Sequence, residues 1–127
     1  MGKYGEAAVA AARAIAKDDT LQPKEAWQSA VKTTFPHSSS LQYKSCPKIA
    51  FLALCQMGNV RDVAAGNYTT SEKNKRYMEC ALTELRLDPE LSNNAHALWV
   101  RAVGHDKKSH NAQMDVLISL FLENLIR

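Results

Sequence analysis

Between Lys44 and Val60 the chain runs Lys-Ser-Cys-Pro-Lys-Ile-Ala-Phe-Leu-Ala-Leu-Cys-Gln-Met-Gly-Asn-Val. Pro47 fits the first turn of a helix, where its missing N–H is not needed. Ile49, Phe51, Leu52, Leu54 and Cys55 then leave almost no polar side, and a helix that is apolar all round is a buried one. Gly58 can take the left-handed conformation that ends it, and Val60 can fold back onto the last turn. A helix over about residues 47–57 must therefore be wrapped on every side by other elements.

The rest of the sequence supplies the wrapping at helical period. Tyr4, Ala8, Ala11, Ala12 and Ile15 form the stripe of a first helix from about Tyr4 to Lys17, whose small residues suit close approach to a neighbour. A second helix starts at Pro23, has Trp27, Ala30, Val31, Thr34 and Phe35 on one face, and stops at Pro36. Residues 36–45, rich in serine, form a loop. After the 47–57 helix, Thr69-Thr-Ser-Glu72 offers a capping box for a fourth helix running to about Leu87 on Met78, Ala81, Leu82 and Leu85. Asp88-Pro89 starts a fifth, broken into two pieces near Ser92-Asn93-Asn94 and ended by Gly104. The last runs from about Asn111 to Leu125. No segment alternates with period two. The chain has 127 residues, 46% of them hydrophobic, enough for a single all-α domain over residues 1–127 with about six helices around the buried central one.

Composition narrows the function classes. No apolar run is long enough to span a membrane. The segment after Met1-Gly-Lys-Tyr-Gly-Glu6 lacks the apolar middle of a secretory signal, and Glu6 stands where a myristoylation motif has Ser or Thr. Cys46, Cys55 and Cys80 cannot all pair with one another and form no Cys-x-x-Cys, so they read as reduced thiols. A cytoplasmic protein is expected. The net charge of +3 is too small to imply nucleic acid by itself, but it is unevenly spread. Residues 46–77 hold five Lys/Arg against two acids, and residues 78–103 hold two against four. That predicts one basic and one acidic half-surface.

One internal echo stands out. Ala50-Phe-Leu-Ala-Leu-Cys-Gln-Met-Gly-Asn-Val60 resembles Val116-Leu-Ile-Ser-Leu-Phe-Leu-Glu-Asn-Leu-Ile126. Each is a greasy helix, a Gly or Asn stop, and a β-branched residue two positions later. The plain reading is a shared helix-end pattern; the stronger one is two structurally equivalent helices.

Three motifs in order carry a resemblance: Lys44-x-Cys-Pro-Lys-x-Ala-Phe-Leu-x-Leu-Cys55, Gly66-Asn-Tyr-Thr69 with Asn74-Lys-x-Tyr77, and His110-Asn-x-Gln-Met-Asp115. Together with the Gly-Lys-Tyr-Gly-Glu start, they resemble a family of small uncharacterised bacterial proteins over most of the chain. The resemblance implies a bacterial or mobile-element origin and no assigned activity. The chain departs from the family pattern at Ala64-Ala65, where something bulkier is expected.

Among candidate sites, a basic and aromatic surface comes first. Lys44 and Lys48 flank the start of the 47–57 helix, Arg61 follows its end, and Tyr68, Lys73, Asn74, Lys75 and Arg76 cluster at the next helix start. Helix N-termini and Lys/Arg attract phosphate, and Tyr68 could stack on an unpaired base. The two helices could mimic a helix-turn-helix, although their connection is far longer than its three- or four-residue turn. The competing reading is a solvated charged face. Second, Cys46 lies at a helix N-terminus between two lysines, which favours the thiolate, and His110 with Asn111 could complete a Cys-His pair if the fold joins them. Cys55 and Cys80 fall on apolar faces and are expected to be buried. Third, His105-Asp106 with His110 and Asp115 matches no metal-site spacing; no metal and no cofactor are expected. His110-Asn111 reads better as a polar helix start that satisfies the N–H of Gln113 or Met114, with Gln113 and Asp115 as further polar contacts. Trp27, Phe35, Phe51, Trp99 and Phe121 read as core. Neither a P-loop nor Gly-x-Gly-x-x-Gly is present, which argues against nucleotide hydrolysis. The sequence thus predicts a non-enzymatic bacterial binding module that contacts nucleic acid or another anion. The rival is a protein–protein adaptor or inhibitor from a mobile element, and a Cys-dependent enzyme comes third.

Overall fold

The computed structural model describes residues 2–104, 110 and 112–127. Among them run helices α1 (Gly2–Lys17), α2 (Pro23–Thr34), α3 (Ser39–Gln42), α4 (Ser45–Gln56), α5 (Glu72–Leu87), a 3₁₀ turn (Pro89–Asn93), α6 (Ala95–Val103) and α7 (Gln113–Leu122). The six long helices share one apolar core, and no strand forms among the described residues.

The buried helix expected over 47–57 is α4. Its residues Pro47 and Ala50 to Cys55 are buried, and it packs against α2, α5 and α7. It starts at Ser45, so Pro47 sits third in the helix, still within the turn whose N–H groups need no helical partner. Equally buried is α7, from Gln113 to Leu120 with only Asp115 partly exposed, and the two form a central pair.

Other boundaries shift for local reasons. α5 is capped by Ser71, whose Oγ accepts from both N and Nδ2 of Asn74, at 3.3 and 2.9 Å. Thr69, the expected cap, instead accepts from Ser71 N–H through Oγ1. The serine-rich segment after Phe35 is folded: Ser38 caps α3, Gln42 Nε2 donates to the Phe35 carbonyl at 2.7 Å, and Tyr4 Oη donates to the Leu41 carbonyl at 2.7 Å. The break near Ser92-Asn93-Asn94 is present, with the 3₁₀ turn before it and Asn94 capping α6 through its bond from Ala97 N–H. Cys55 is buried as expected, but Cys80 is exposed. The buried stripe of α5 is Tyr77, Met78, Ala81, Leu82 and Leu85, and Cys80 falls off it. Trp27, Phe51 and Trp99 are buried, whereas Phe35 and Phe121 only border the core.

The echo between α4 and α7 is structural. Both helices end in a Schellman motif. Gly58 and Asn124 take φ of 75° and 59°. Asn59 N–H bonds to Leu54 O at 3.0 Å and Gly58 N–H to Cys55 O at 3.1 Å. Leu125 N–H bonds to Leu120 O at 2.8 Å and Asn124 N–H to Phe121 O at 3.1 Å. The two ends then meet in an antiparallel bridge between Val60 and Ile126, flanked by Arg61 N–H to Leu125 O and Arg127 N–H to Asn59 O, both 2.8 Å.

The repeat extends further than those ends. Tyr4, Glu6, Ala8 and Arg13 recur at the same spacing as Tyr77, Glu79, Ala81 and Arg86; Trp27, Ala30 and Val31 recur as Trp99, Ala102 and Val103. Thus α1–α2–α4 corresponds to α5–α6–α7, and exchanging the halves maps the main helix contacts onto one another. α1 packs on α2 and α7, α5 on α6 and α4. In each half the tyrosine meets the tryptophan, at ring separations of 6.4 Å for Tyr4–Trp27 and 5.5 Å for Tyr77–Trp99. The fold is two three-helix units joined across α4 and α7.

Candidate anion-binding pocket

The 57–71 connection does not wander over the surface. Gln56, the last residue of α4, accepts the N–H groups of Tyr68 and Thr69 on its Oε1, at 2.8 and 2.9 Å. That pins residues 67–70 alongside the one face of α4 that is not buried in helices. Ser45, Lys48, Ile49 and Leu52 lie on this face at helical spacing. Between them, the 67–70 loop and Lys24 at the start of α2 is a cavity of about 430 Å³. Its polar lining is Lys24, Ser45, Lys48, Asn67, Tyr68, Thr69 and Thr70, with Ile49 and Leu52 as an apolar floor; no carboxylate lines it.

Two features set its electrostatics. The lysines come from different helices, and neither takes part in an ion pair among the described residues. The first turn of α4 has no side-chain cap, because its N-cap is Lys44. Uncapped N–H groups and the positive end of a helix dipole favour an anion. Cation, hydroxyl and amide donors without a competing acid are suited to oxyanion binding.

The residues singled out in the sequence divide. Lys48 and Tyr68 line the pocket. Lys44 is exposed beside it as the cap of α4. Tyr68 is half-buried, with its Oη donating to the Ala64 carbonyl at 2.6 Å, so the ring braces its own loop as well as the pocket wall. Lys73 and Arg76 are exposed on the first turns of α5, directly after the loop. Lys75 is spent on Glu72, 2.7 Å away, and Asn74 on the Ser71 cap. Arg61 lies past the opposite end of α4, about 18 Å away along a helix of this length. Its guanidinium is near Asn124 Oδ1 at 3.5 Å, so it does not join the group. Lys24, Asn67, Thr69 and Thr70 are the additions. Lys24 belongs to a helix distant in sequence, and only the packing of α2 on α4 brings it here.

The Cys-His reading loses its histidine. The His110 ring is 5.4 Å from Trp99, and its Nε2 accepts the Met114 N–H at 3.0 Å. That is the capping role predicted for this position. Burial lowers its pKa, with the Asp115 charge opposing and His96 adding to the shift. Cys46 is half-buried at the start of α4. Gln113 is buried. Asp115 lies against Gly2 at the start of α1, where a carboxylate favours the helix end. Asn111, His105 and Asp106 lie outside the described residues, among which no group of three metal-ligating side chains occurs. The helix-turn-helix analogy also falls away, since α4 is buried nearly throughout. No described helix is long and apolar enough to cross a membrane.

The family model of DUF6979, a family of unknown function, matches residues 1–127, and the chain belongs to that family. No curated protein and no solved structure matches it.

Proposed function

For this member of a family of unknown function, we propose an anion-binding module whose site is the pocket between α2, α4 and the 67–70 loop, with the phosphate backbone of a nucleic acid as its partner. The observation that carries the reading is the meeting of Lys24 and Lys48, from different helices, in a pocket that no carboxylate lines. A phosphate seated there takes charge-assisted bonds from both ammonium groups and neutral ones from Ser45, Thr69 and Thr70. Lys44, Lys73 and Arg76 add attraction from outside, which raises affinity without reading sequence. Tyr68, half-buried on the pocket wall, offers its ring for an adjoining base to stack on.

The test is fluorescence anisotropy with single- and double-stranded DNA and RNA oligonucleotides across a salt series. Binding is expected at low salt and falls as salt rises. Lys24→Glu and Lys48→Glu each weaken it more than Lys73→Glu or Arg76→Glu, and Arg61→Glu has the least effect. If the parent protein retains no oligonucleotide at low salt, this partner is wrong. Inorganic phosphate titrated against the backbone amides of residues 45, 46, 48 and 67–70 then separates a small-anion site from none at all.

A further inference from the structure

The repeated frame places a groove in each half, and the two have diverged in a telling way. In the second half it is walled by Glu79, Leu82, Thr83 and Arg86 of α5 together with Met57 and Asn59. In the first it is walled by Glu6, Val9, Ala10 and Arg13 of α1 together with Leu122 and Glu123 at the end of α7. Glu6 corresponds to Glu79 and Arg13 to Arg86. Leu122 corresponds to Gln56, which is committed to holding the 67–70 loop. Leu122 holds nothing and is 55% exposed. The first-half groove, a cavity of about 400 Å³, therefore differs from its counterpart in carrying an exposed leucine on its lining.

Its charges define what fits. Glu6 and Arg13 are two turns apart on one face of α1, about 10 Å along the axis, with Val9 and Ala10 midway. An identical helix laid antiparallel over that midpoint sets Glu6 against Arg13 and Arg13 against Glu6. In the same register Lys3 meets Ala16 and Lys17 meets Gly2, so no like charges collide between the two copies of α1, and the incoming Glu6 shares the Arg13 guanidinium with Glu123. Ala10, exposed and small, permits close approach at the crossing, and Leu122 of each copy closes over the other helix. Arg13, paired with Glu123 at 2.7 Å, has donors left for a second carboxylate. We propose that the α1/α7 groove docks a second copy of this chain, α1 against α1, in an isologous dimer. The proposal is independent of the anion pocket.

Sedimentation velocity of the full chain over a wide concentration range tests it. The expected mass rises from the 14.1 kDa monomer to twice that value. Glu6→Arg sets like charges against each other and raises the dissociation constant about tenfold or more. The triple reversal Glu6→Arg/Arg13→Glu/Glu123→Arg restores both the pair within the chain and those between chains, and with them the dimer. Leu122→Ala weakens association, whereas Glu79→Arg in the second-half groove, which has no exposed leucine on its lining, and Lys48→Gln in the anion pocket leave it unchanged. Thermal melts confirm that each variant is folded. A protein that stays monomeric at the highest concentration overturns the proposal, as does a dimer that Glu6→Arg leaves intact or the triple reversal fails to restore.

Discussion

The cap that His110 gives α7 works only while Nε2 carries no proton, because that atom accepts the Met114 N–H. Burial, the largest influence, lowers the pKa from 6.5, so the folded chain binds this proton less readily than the unfolded one. Above the ordinary histidine value both states are neutral and pH has no effect through this group. As pH falls below it, the unfolded state is protonated first and stability drops until the folded-state value is passed. Urea midpoints at pH 7 and pH 5 should therefore differ, and His110→Gln should shrink the difference. An unchanged difference would assign the acid sensitivity elsewhere. The cysteines give a second prediction at this scale. Burial pushes the Cys55 thiol far up, whereas Cys80 is exposed and Cys46 intermediate. Alkylation of the native protein, followed by mass spectrometry, should modify Cys80 first, Cys46 next and Cys55 only on unfolding. The His110 cap was legible in the sequence as a polar residue before an apolar run. The exposure of Cys80 was not, because a cysteine beside an apolar stripe looks like part of it until the stripe's exact azimuth is known.

At the scale of elements, the helix ends are where local sequence speaks most clearly. The Gly58 stop was readable because only a residue tolerant of positive φ ends a helix in that way. A β-carbon at Gly58 would make only ordinary contact with Ala65, so Gly58→Ala should cost about 1–2 kcal/mol from backbone strain alone. Asn124→Gly relieves the same strain at the equivalent position and should be neutral or slightly stabilising; chemical denaturation measures both. Gly5 differs in kind. A β-carbon there would run into Ser119 Oγ and lie 2.8 Å from the Asp115 carbonyl oxygen, since α1 crosses α7 at that point. Gly5→Ala should cost about 1–3 kcal/mol by forcing the helices apart, whereas its counterpart Met78 is a fully buried core residue. The start of α5 shows where local reading fails. Thr69-x-x-Glu72 is a good capping box, but Gln56 already holds the backbone N–H of Thr69, and the helix begins two residues later on Ser71. A contact thirteen residues away overrides the local signal.

For the whole molecule, the all-α class followed from period and from one helix too apolar to lie at a surface. The pairing of halves shows plainly in the similarity of two helix ends, and more faintly in the shared spacings of Tyr4 to Arg13 and Tyr77 to Arg86, which stand out only once the helices are paired in space. The candidate site was half legible: Lys48 and Tyr68 share the stretch that marks the centre of the fold, but Lys24 arrives through packing and Arg61 leaves because a buried helix separates the two ends of that stretch. What joins the halves is specific enough to test. Val60 and Ile126 face each other across the bridge, 0% and 9% exposed, both turned to the core, with the flanking backbone bonds holding them in register. Ile126→Ala should destabilise by about 2–3 kcal/mol, a large effect for a residue outside any helix. Val60→Ala should cost somewhat less, since it removes less side chain. If the bridge couples the two three-helix units, the double variant will not equal the sum. Once one side chain is gone the other has lost its cross-strand partner, and removing it costs about 1 kcal/mol less than in the parent. A double-mutant cycle by urea denaturation measures that coupling. Strict additivity would mean that the halves are held by α4 on α7 alone and that the bridge merely follows from where those helices end.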